Sequence, residues 1–302
     1  MTRSDGNDGV NGPPGTRRRI LKYAVSVACG AALIAALITI GGGTRLALLL
    51  DIRWRPFLGA VACTVGLVTT MGLRWKVAIA GVTGAEAPPL PVLARYILAC
   101  RVLGLMVPKD LSDLGLRTFY LKAEHDHRVT HAVSSVFADR ISDIFACLVF
   151  AVPAVLFWTD VLDGERAALW GMALAGIAGS AVFVCIGNVA FALPPRLFDF
   201  FRRVIGRPAR HPTAEFAFGR AAIFRMYLLT VCKFGFSAAR VILVARAFGL
   251  SIPPEYLVLG LPVAQLSYLL AFTPGGLGIK EMGWYLVLRL ASIPPADIVV
   301  FA

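Results

Sequence analysis

The chain has 302 residues, of which 58% are hydrophobic and only 16% are charged, and its mean hydropathy is +0.74. Soluble domains carry about 25% charged residues, so this chain has too few charges to cover a water-exposed surface. The net charge is +12, but the basic residues lie mostly between apolar blocks, where they orient helices and contact anionic lipid. Composition therefore excludes a soluble globular protein and a nucleic-acid-binding protein. It predicts an all-α, polytopic integral membrane bundle.

The chain begins with a polar segment, residues 1–19, which we expect to be a disordered basic cytoplasmic tail. The apolar run 20–40 is longer than the h-region of a signal peptide and lacks a clear cleavage site, so we expect a retained first helix. The remaining apolar blocks lie at 56–73, 92–107, 131–158, 167–193, 223–246, 255–272 and 277–291. Together they predict a single transmembrane domain over residues 20–302 with about six to eight hydrophobic segments.

Loop charges predict the orientation in the cell (inner) membrane. The loop 194–222 is the most basic connection between helices, and the positive-inside rule places it in the cytoplasm. The acidic loop 159–166 then lies outside, and 108–130 is cytoplasmic again. The short block 92–107 contains two arginines and is a poor simple span, so we interpret it as re-entrant or broken, which places the N-terminus in the cytoplasm. If 92–107 were a simple span, the N-terminus would lie outside.

Two proline breaks, at Pro108 and Pro274, share one layout. In each, an apolar helix is followed by the break and then by a short helix that carries a carboxylate and a basic residue. Such irregular backbone at membrane depth is tolerated where it is buried in protein or lines a cavity. Broken helices in corresponding halves indicate a central binding site, and their N-termini favour an anionic group. Alternatively, Asp113 and Glu281 only cap their own helices. The residues of the two breaks are Pro108, Ser112, Pro274, Gly275, Gly276 and Gly278.

Nine ionisable residues inside or beside the apolar blocks are candidates for a polar site. Each costs about 2.5–3.5 kcal/mol on membrane-insertion scales and therefore usually faces a partner or a polar cavity. Six are basic and three acidic, an excess that favours an anionic lipid headgroup. The alternative is structural, with acid–base pairs that fix helix packing and Arg95 and Lys233 extended to the interface. The nine are Arg95, Arg101, Asp139, Arg140, Asp143, Lys233, Arg240, Lys280 and Glu281.

Motifs for metal binding or catalysis are weak. We interpret the run 124–128, which contains His125 and His127, as a solvated loop, because zinc requires three or four converging ligands. Six cysteines lie in separate apolar blocks without a CxxC pair, and no GxSxG motif is present. We therefore expect no cofactor, no metal and no enzymatic activity.

Three elements resemble the lysylphosphatidylglycerol synthase transmembrane region family, in the order that the family shows. They are Pro108 through Arg117 and Tyr120, the segment 134–140 (SSVFADR), and Pro274-Gly275-Gly276-Leu277-Gly278 with Glu281. The third element is fairly specific. The first departs from the family pattern, because Ser112-Asp113 stands where the family usually has glycine and an acidic residue. Relatives commonly continue beyond the position of Ala302. We therefore expect that a last helix either lies outside this sequence or is missing from the protein.

The resemblance implies a flippase-like, stand-alone membrane domain that binds or translocates a phospholipid or another polar-headed lipid. It implies membrane lipids and a separate lipid-modifying enzyme as partners, and it leaves the oligomeric state open. Two alternatives remain: a membrane transferase or accessory subunit that acts on lipid-linked substrates, with Asp110, Asp113 or Asp126 as the acid or base, and a non-transporting scaffold. The expected headgroup-binding residues are Asp113, Arg117, Asp139, Arg140, Lys233, Arg240, Lys280 and Glu281.

Overall fold

The structure is a computed structural model, and it describes residues 39, 52–105, 107, 109–125, 129–159, 161–162, 164–204, 218–268, 273 and 276–301. The predicted tail 1–19 and, apart from Thr39, the predicted first helix 20–40 lie outside the described residues. So do Pro108, Pro274 and Gly275 of the two predicted breaks.

Within the described residues the chain forms nine α-helices and no strand. Four of them are long and apolar enough to cross a membrane: α1, α4, the part Glu165–Phe191 of α5, and α6. The predicted all-α, polytopic membrane bundle is confirmed. The helices are α1 (Trp54–Thr83), α2 (Leu90–Leu103), α3 (Lys109–His125), α4 (Val129–Trp158), α5 (Glu165–Val204), α6 (Arg220–Ala247), α7 (Pro254–Tyr268), α8 (Ile279–Leu290) and α9 (Pro295–Phe301).

Two helices extend well beyond the predicted apolar blocks. Helix α1 continues to Thr83 rather than ending at 73, and α5 continues to Val204 rather than ending at 193. Charged residues end a run of high hydropathy, but they do not end a helix, because their backbone groups continue the hydrogen-bond ladder. Helix α1 ends instead at Gly84, whose φ of 66° suits glycine and whose N–H donates to the carbonyl of Ala80. Arg74 thereby falls inside a membrane helix.

The segment around the first predicted break forms two short helices. Helix α2 has 14 residues and is about 21 Å long, whereas the hydrocarbon core of a bilayer is about 30 Å thick. This length supports the interpretation of the segment as broken. The region 108–130, predicted as a cytoplasmic connection, contains the helix α3. The Ser112 hydroxyl donates to the carbonyl of Cys100 over 3.1 Å and so fastens the start of α3 to the end of α2.

Helices α1 and α6 pack antiparallel and very closely. Gly59 lies against Leu243, Gly66 against Phe236, and Gly81 against Phe218, which stands just before α6. Residue numbers therefore rise along α1 while those of the contacted residues fall, as in an antiparallel pair. A Cβ atom on Gly66 would lie 2.5 Å from the Phe236 ring. Small residues allow membrane helices to approach in this way, since lipid tails supply no hydrophobic driving force between helices.

The bundle contains two main apolar cores. One is built around Trp75, Ile97 and Phe183, and the other around Phe150, Leu257 and Trp284. Helices α4 and α6 contribute to both: Ala138 and Tyr227 belong to the first core, and Ala146 and Phe234 to the second. Polar residues lie between these positions on α4 and α6, while Val231 of α6 packs against both cores.

Candidate functional site

Seven charged side chains from four helices meet inside the bundle, and we call them the central charge cluster. Helix α1 supplies one, α3 two, α4 three and α6 one. Ion pairs within 4 Å connect them all into one network. The members are Arg74, Asp113, Arg117, Asp139, Arg140, Asp143 and Lys233.

Arg74 is the centre of this network and is fully buried. Its Nε donates to Asp139 Oδ1 over 2.5 Å, and its Nη1 donates to Asp143 Oδ1 and, over 3.0 Å, to the Thr230 hydroxyl. Asp139 and Asp143 are four residues apart and, as their spacing predicted, share one face of a helix. The guanidinium of Arg74 therefore joins α1 to both α4 and α6.

Arg117 occupies the opposite side of Asp139 and is 1% exposed. Its Nη1 donates to Asp139 Oδ2 over 2.9 Å, and its Nε lies 3.6 Å from Asp113 Oδ1. The guanidinium carbon also lies 4.8 Å from the centre of the Trp75 ring, within the range of a cation–π contact. Both oxygens of Asp139 are thus engaged by arginines, which explains how this carboxylate remains buried at membrane depth.

Two cations lie at the more accessible edges of the cluster. The Lys233 ammonium lies 2.5 Å from Asp143 Oδ1, and its side chain is 12% exposed. Arg140 pairs with Asp113, and its side chain is 20% exposed. The alternative in which Lys233 extends to the membrane interface is wrong, because Lys233 reaches Asp143 instead.

The cluster lies mainly on helices that can cross a membrane. Lys233 stands at the middle of α6 (Arg220–Ala247), and Asp143 stands at the middle of α4 (Val129–Trp158). Both helices are long and apolar enough to cross the hydrocarbon core. Ionisable groups within such helices are costly and usually mark a pathway, a relay or a binding site.

Cations outnumber carboxylates in the cluster by four to three. The buried Nη2 of Arg74 has no hydrogen-bond partner among the described residues. A buried N–H group without an acceptor costs about 1–3 kcal/mol, more when it is charged. The cluster therefore retains one buried donor, Arg74 Nη2, that no acceptor among the described residues satisfies.

A second charged group lies around the start of α8. The backbone N–H of Gly278 donates to Glu281 Oε2 over 2.7 Å, and Gly276 and Gly278 have φ of 72° and 81°. Lys280 lies close enough to both Arg240 and Glu281 for their charges to interact. Lys233 and Arg240 are separated by about 10 Å along α6, so Arg240 stands about two turns beyond Lys233 of the central charge cluster.

The predicted headgroup residues thus fall into two groups. The structure brings Asp113, Arg117, Asp139, Arg140 and Lys233 together in the central charge cluster. It places Arg240, Lys280 and Glu281 in the second group, where Glu281 caps its own helix. The two helices that follow the predicted breaks have different main neighbours: α3 packs on α2 and α4, and α8 packs on α7 and α9.

Sequence reasoning missed Arg74, the best-connected residue of the cluster. It stands directly after the block 56–73, where a charged pair of residues, Arg74 and Lys76, ends the high-hydropathy run. The length of the block could have revealed it. A helix needs about 20 residues to cross the membrane, and the block 56–73 is shorter, so the helix has to continue past residue 73 and include Arg74. Asp143 was recognised as a charge at depth but was not placed in the site.

Metal-ligating side chains do not converge: within the described residues no group of three histidine, cysteine or acidic side chains could hold an ion. Glu124 and His125 form the end of α3 rather than part of a loop, and Glu124 accepts a hydrogen bond from the Tyr96 hydroxyl. Asp126 and His127 lie outside the described residues.

Comparison with known families assigns the chain. The family described as "Lysylphosphatidylglycerol synthase TM region" matches residues 19–302, nearly the whole sequence. The chain belongs to this family. No curated protein and no solved structure matches it. As a member of the lysylphosphatidylglycerol synthase transmembrane region family with four helices able to cross a bilayer, the chain is an integral membrane protein related to lipid modification or transport.

Proposed function

We propose that this protein binds the polar headgroup of a phospholipid at the central charge cluster and translocates it across the membrane. The observation that carries the proposal is the central charge cluster, in which four cations meet three carboxylates within a bundle of membrane-spanning helices, together with the unpartnered Nη2 of the buried Arg74. A purely structural ion-pair network is expected to be balanced, because an uncompensated charge in a low-dielectric interior is expensive.

The partly accessible cations define where a headgroup would enter. Arg140 and Lys233 are the most exposed cations of the cluster, and Asp143 is about as exposed as the lysine with which it pairs, so a phosphate approaching from between the helices contacts these two cations first. Arg74 lies behind Lys233, since both pair with Asp143. The phosphate therefore exchanges water for ammonium and guanidinium donors, which bind phosphate oxygens strongly.

Family membership supports a lipid as the ligand, because the family is named after a lipid synthase and matches nearly the entire chain. We propose translocation rather than synthesis, because the cluster contains cations paired with carboxylates and offers no nucleophile with an adjacent base. We propose the cell inner membrane as its location, with membrane lipids and a separate lipid-modifying enzyme as partners.

Headgroup translocation in proteoliposomes tests the proposal. Vesicles contain a trace of acyl-chain-labelled phosphatidylglycerol or phosphatidylethanolamine, and a membrane-impermeant reductant bleaches the label in the outer leaflet. We expect the native protein to bring inner-leaflet label to the outer leaflet. Lys233→Gln should slow this exchange by at least about tenfold, since a hydrogen bond to a charged group contributes about 1.5–3 kcal/mol.

Arg246→Gln is the matched control. It removes one positive charge from the same helix, but Arg246 is exposed and lies in the last turn of α6. We expect its exchange rate to equal that of the native protein. A native protein that leaves the bleached fraction unchanged for both lipids would reject translocation and favour a scaffold.

A further inference from the structure

We infer that Lys233 takes up and releases a proton in each transport cycle, so that a headgroup and a proton cross the membrane in the same direction. The inference rests on the proposed function, because it names what drives movement through the same cluster. It follows from the kind of cation at each position of the cluster, the contacts of Asp143 and the accessibility of Lys233.

Lys233 is the cation of the central charge cluster that can change its charge. The other cations of the cluster are arginines, and a guanidinium stays protonated in proteins, whereas a buried lysine exchanges its proton readily. The carboxylate of Asp139 stays ionised as well, because Arg74 and Arg117 each donate to one of its oxygens. Asp113 likewise pairs with an arginine. The protonation of Lys233 therefore sets the charge state of the cluster.

Asp143 is arranged so that Lys233 can hold the proton or release it. Its Oδ1 contacts two cations, Nη1 of Arg74 and, at 2.5 Å, the Lys233 ammonium. While the proton is bound, the ammonium is paired with this carboxylate. After the proton is released, the carboxylate still accepts from Arg74, so neither state leaves a buried charge without a partner. Release also removes the repulsion between two cations at one oxygen.

The proton leaves through the edge of the cluster. The Lys233 side chain is 12% exposed, whereas that of Arg74 is 1% exposed. One N–H bond of the ammonium breaks, its electron pair stays on Nζ, and the proton passes to a water molecule to form hydronium. Uptake on the other side of the membrane reverses these steps, and no further reactant is needed.

The neighbouring helices place few charges around Lys233. Helix α5 has no charged residue between 167 and 191, and the one charged residue of α7, Glu255, lies in its first turn. On α6 itself the nearest charged residue in sequence is Arg240, about two turns away. The groups whose charges act on Lys233 are Asp139 and Asp143 of α4 and Arg74 of α1. Because each of these three is held by a group of opposite charge, Lys233 is the one that titrates.

Binding of a headgroup favours the protonated form of Lys233. A phosphate oxygen accepts a charge-assisted hydrogen bond from an ammonium and a weaker one from a neutral amine. By linkage, a ligand that binds the ammonium form more tightly takes up a proton when it binds and returns the proton when it leaves. Every phospholipid has a phosphodiester, so the coupling does not depend on what else the headgroup carries.

Proteoliposomes with a pH gradient test the coupling. The outer buffer and the reductant stay the same, the lumen is set about one pH unit more acidic or more alkaline, and a potassium ionophore with equal potassium on both sides removes the membrane potential. The labelled lipid is the one that moves in the symmetric assay. We expect label to leave the inner leaflet at least about threefold faster from the acidic lumen than from the alkaline lumen, since the two lumens differ about a hundredfold in proton concentration. A protonophore should abolish the difference.

The native protein alone can overturn the inference in this assay. Equal rates from the two lumens would reject proton coupling and leave translocation itself intact. A faster rate from the alkaline lumen would also reject it, because the proton would then move against the headgroup. Movement of neither labelled lipid in any gradient would reject the proposed function instead.

Lys233→Arg assigns the coupling to this residue. Arginine keeps a positive charge beside Asp143 but does not release its proton, so the ratio of the two rates should fall towards one. Arg246→Lys is the matched control, because it exchanges the same two residue types at an exposed position of the same helix, and it should keep the native ratio. A native ratio in Lys233→Arg would contradict the assignment.

Calorimetry of the native full chain gives a second measurement that does not depend on transport. Short-chain phosphatidylglycerol and phosphatidylethanolamine, whose phosphodiesters do not titrate near neutral pH, are each added in detergent in two buffers of different ionisation enthalpy. We expect binding to take up protons, up to about one per bound lipid. Binding without proton uptake would overturn the inference, whereas binding of neither lipid would count against the proposed function.

Discussion

Arg74 shows how one side chain can organise a membrane bundle. Its guanidinium presents donors in a fixed plane, and three of its contacts, to Asp139, Asp143 and Thr230, use two of its nitrogens. A lysine ammonium at this position would carry the same charge but could not hold both carboxylates in the same geometry. The arginine is therefore required by shape as well as by charge.

Arg74→Lys tests this requirement. We expect it to destabilise the protein by about 1–3 kcal/mol, because at least one buried carboxylate loses a charged hydrogen bond while the net charge stays the same. Thermal unfolding in detergent, followed by intrinsic fluorescence, measures the effect. The control is Arg246→Lys, which should change the unfolding free energy by less than about 0.5 kcal/mol because Arg246 is exposed. A melting temperature equal to that of the native protein would show that charge alone suffices at position 74.

Helices α1 and α6 pack closely along the glycines of α1. Gly59, Gly66 and Gly81 lie along one edge of α1, and each faces a large side chain of α6 or of the residues just before it. This close approach brings Arg74 within reach of Thr230 on α6. The packing of two apolar helices thus sets the position of a polar contact.

Gly66→Ala is expected to separate the two helices. Its Cβ would lie 2.5 Å from the Phe236 ring, so the helices or the ring must move, and overpacking of this kind costs about 1–3 kcal/mol. Gly235→Ala is the control, because a Cβ at Gly235 meets no atom within 4 Å and alanine favours the helix. The unfolding midpoints of both variants in one detergent provide the comparison. Equal midpoints would mean that Phe236 turns aside without cost.

The helices that follow the two predicted breaks differ in what their carboxylates do. Asp113 on α3 pairs with Arg140 on α4 and lies near Arg117, so it belongs to the interior network. Glu281 on α8 accepts from the Gly278 N–H and closes the first turn of its own helix. The sequence layouts are alike, but only the first break delivers its acid to the central charge cluster.

At the scale of the whole molecule, α4 and α6 connect two apolar cores and also carry charged residues of the central charge cluster. Burying these charges costs desolvation energy that apolar residues would not. The cluster is therefore weak evidence for stability and is consistent with the proposed binding role.

The orientation of the bundle is a prediction that labelling can test. In a cysteine-free background, Asp163→Cys should react with an impermeant thiol reagent added outside the cell, and Ala209→Cys should react only after the membrane is opened. The reason is that the segment 194–222, which includes the end of α5, is strongly basic, while the segment 159–166 is acidic. The reverse pattern would invert the bundle and place the N-terminal tail outside.

Much of the fold could be predicted from the sequence, because the hydrocarbon core imposes one length and one composition on every spanning helix. The apolar blocks predicted the helices, and the spacing of Asp139 and Asp143 predicted their common face. Helix ends were less predictable: α1 and α5 continue past charged residues, since the backbone ladder does not depend on hydropathy. Because the predicted block of α1 ended at residue 73, Arg74 was not predicted to lie in a membrane helix.

The sequence alone determined that this chain is a helical membrane protein with charges at depth, since composition and block length act locally along the chain. Only the tertiary structure decided which of those charges meet. Partner choice depends on the rotation and approach of helices that are far apart in sequence: Arg74 reaches Asp139, Asp143 and Thr230 across three helices, while Lys280 and Glu281 remain at another site. The excess of basic residues was visible in the residue count, but the packing of α1, α3, α4 and α6 decided which four cations meet three carboxylates in the central charge cluster.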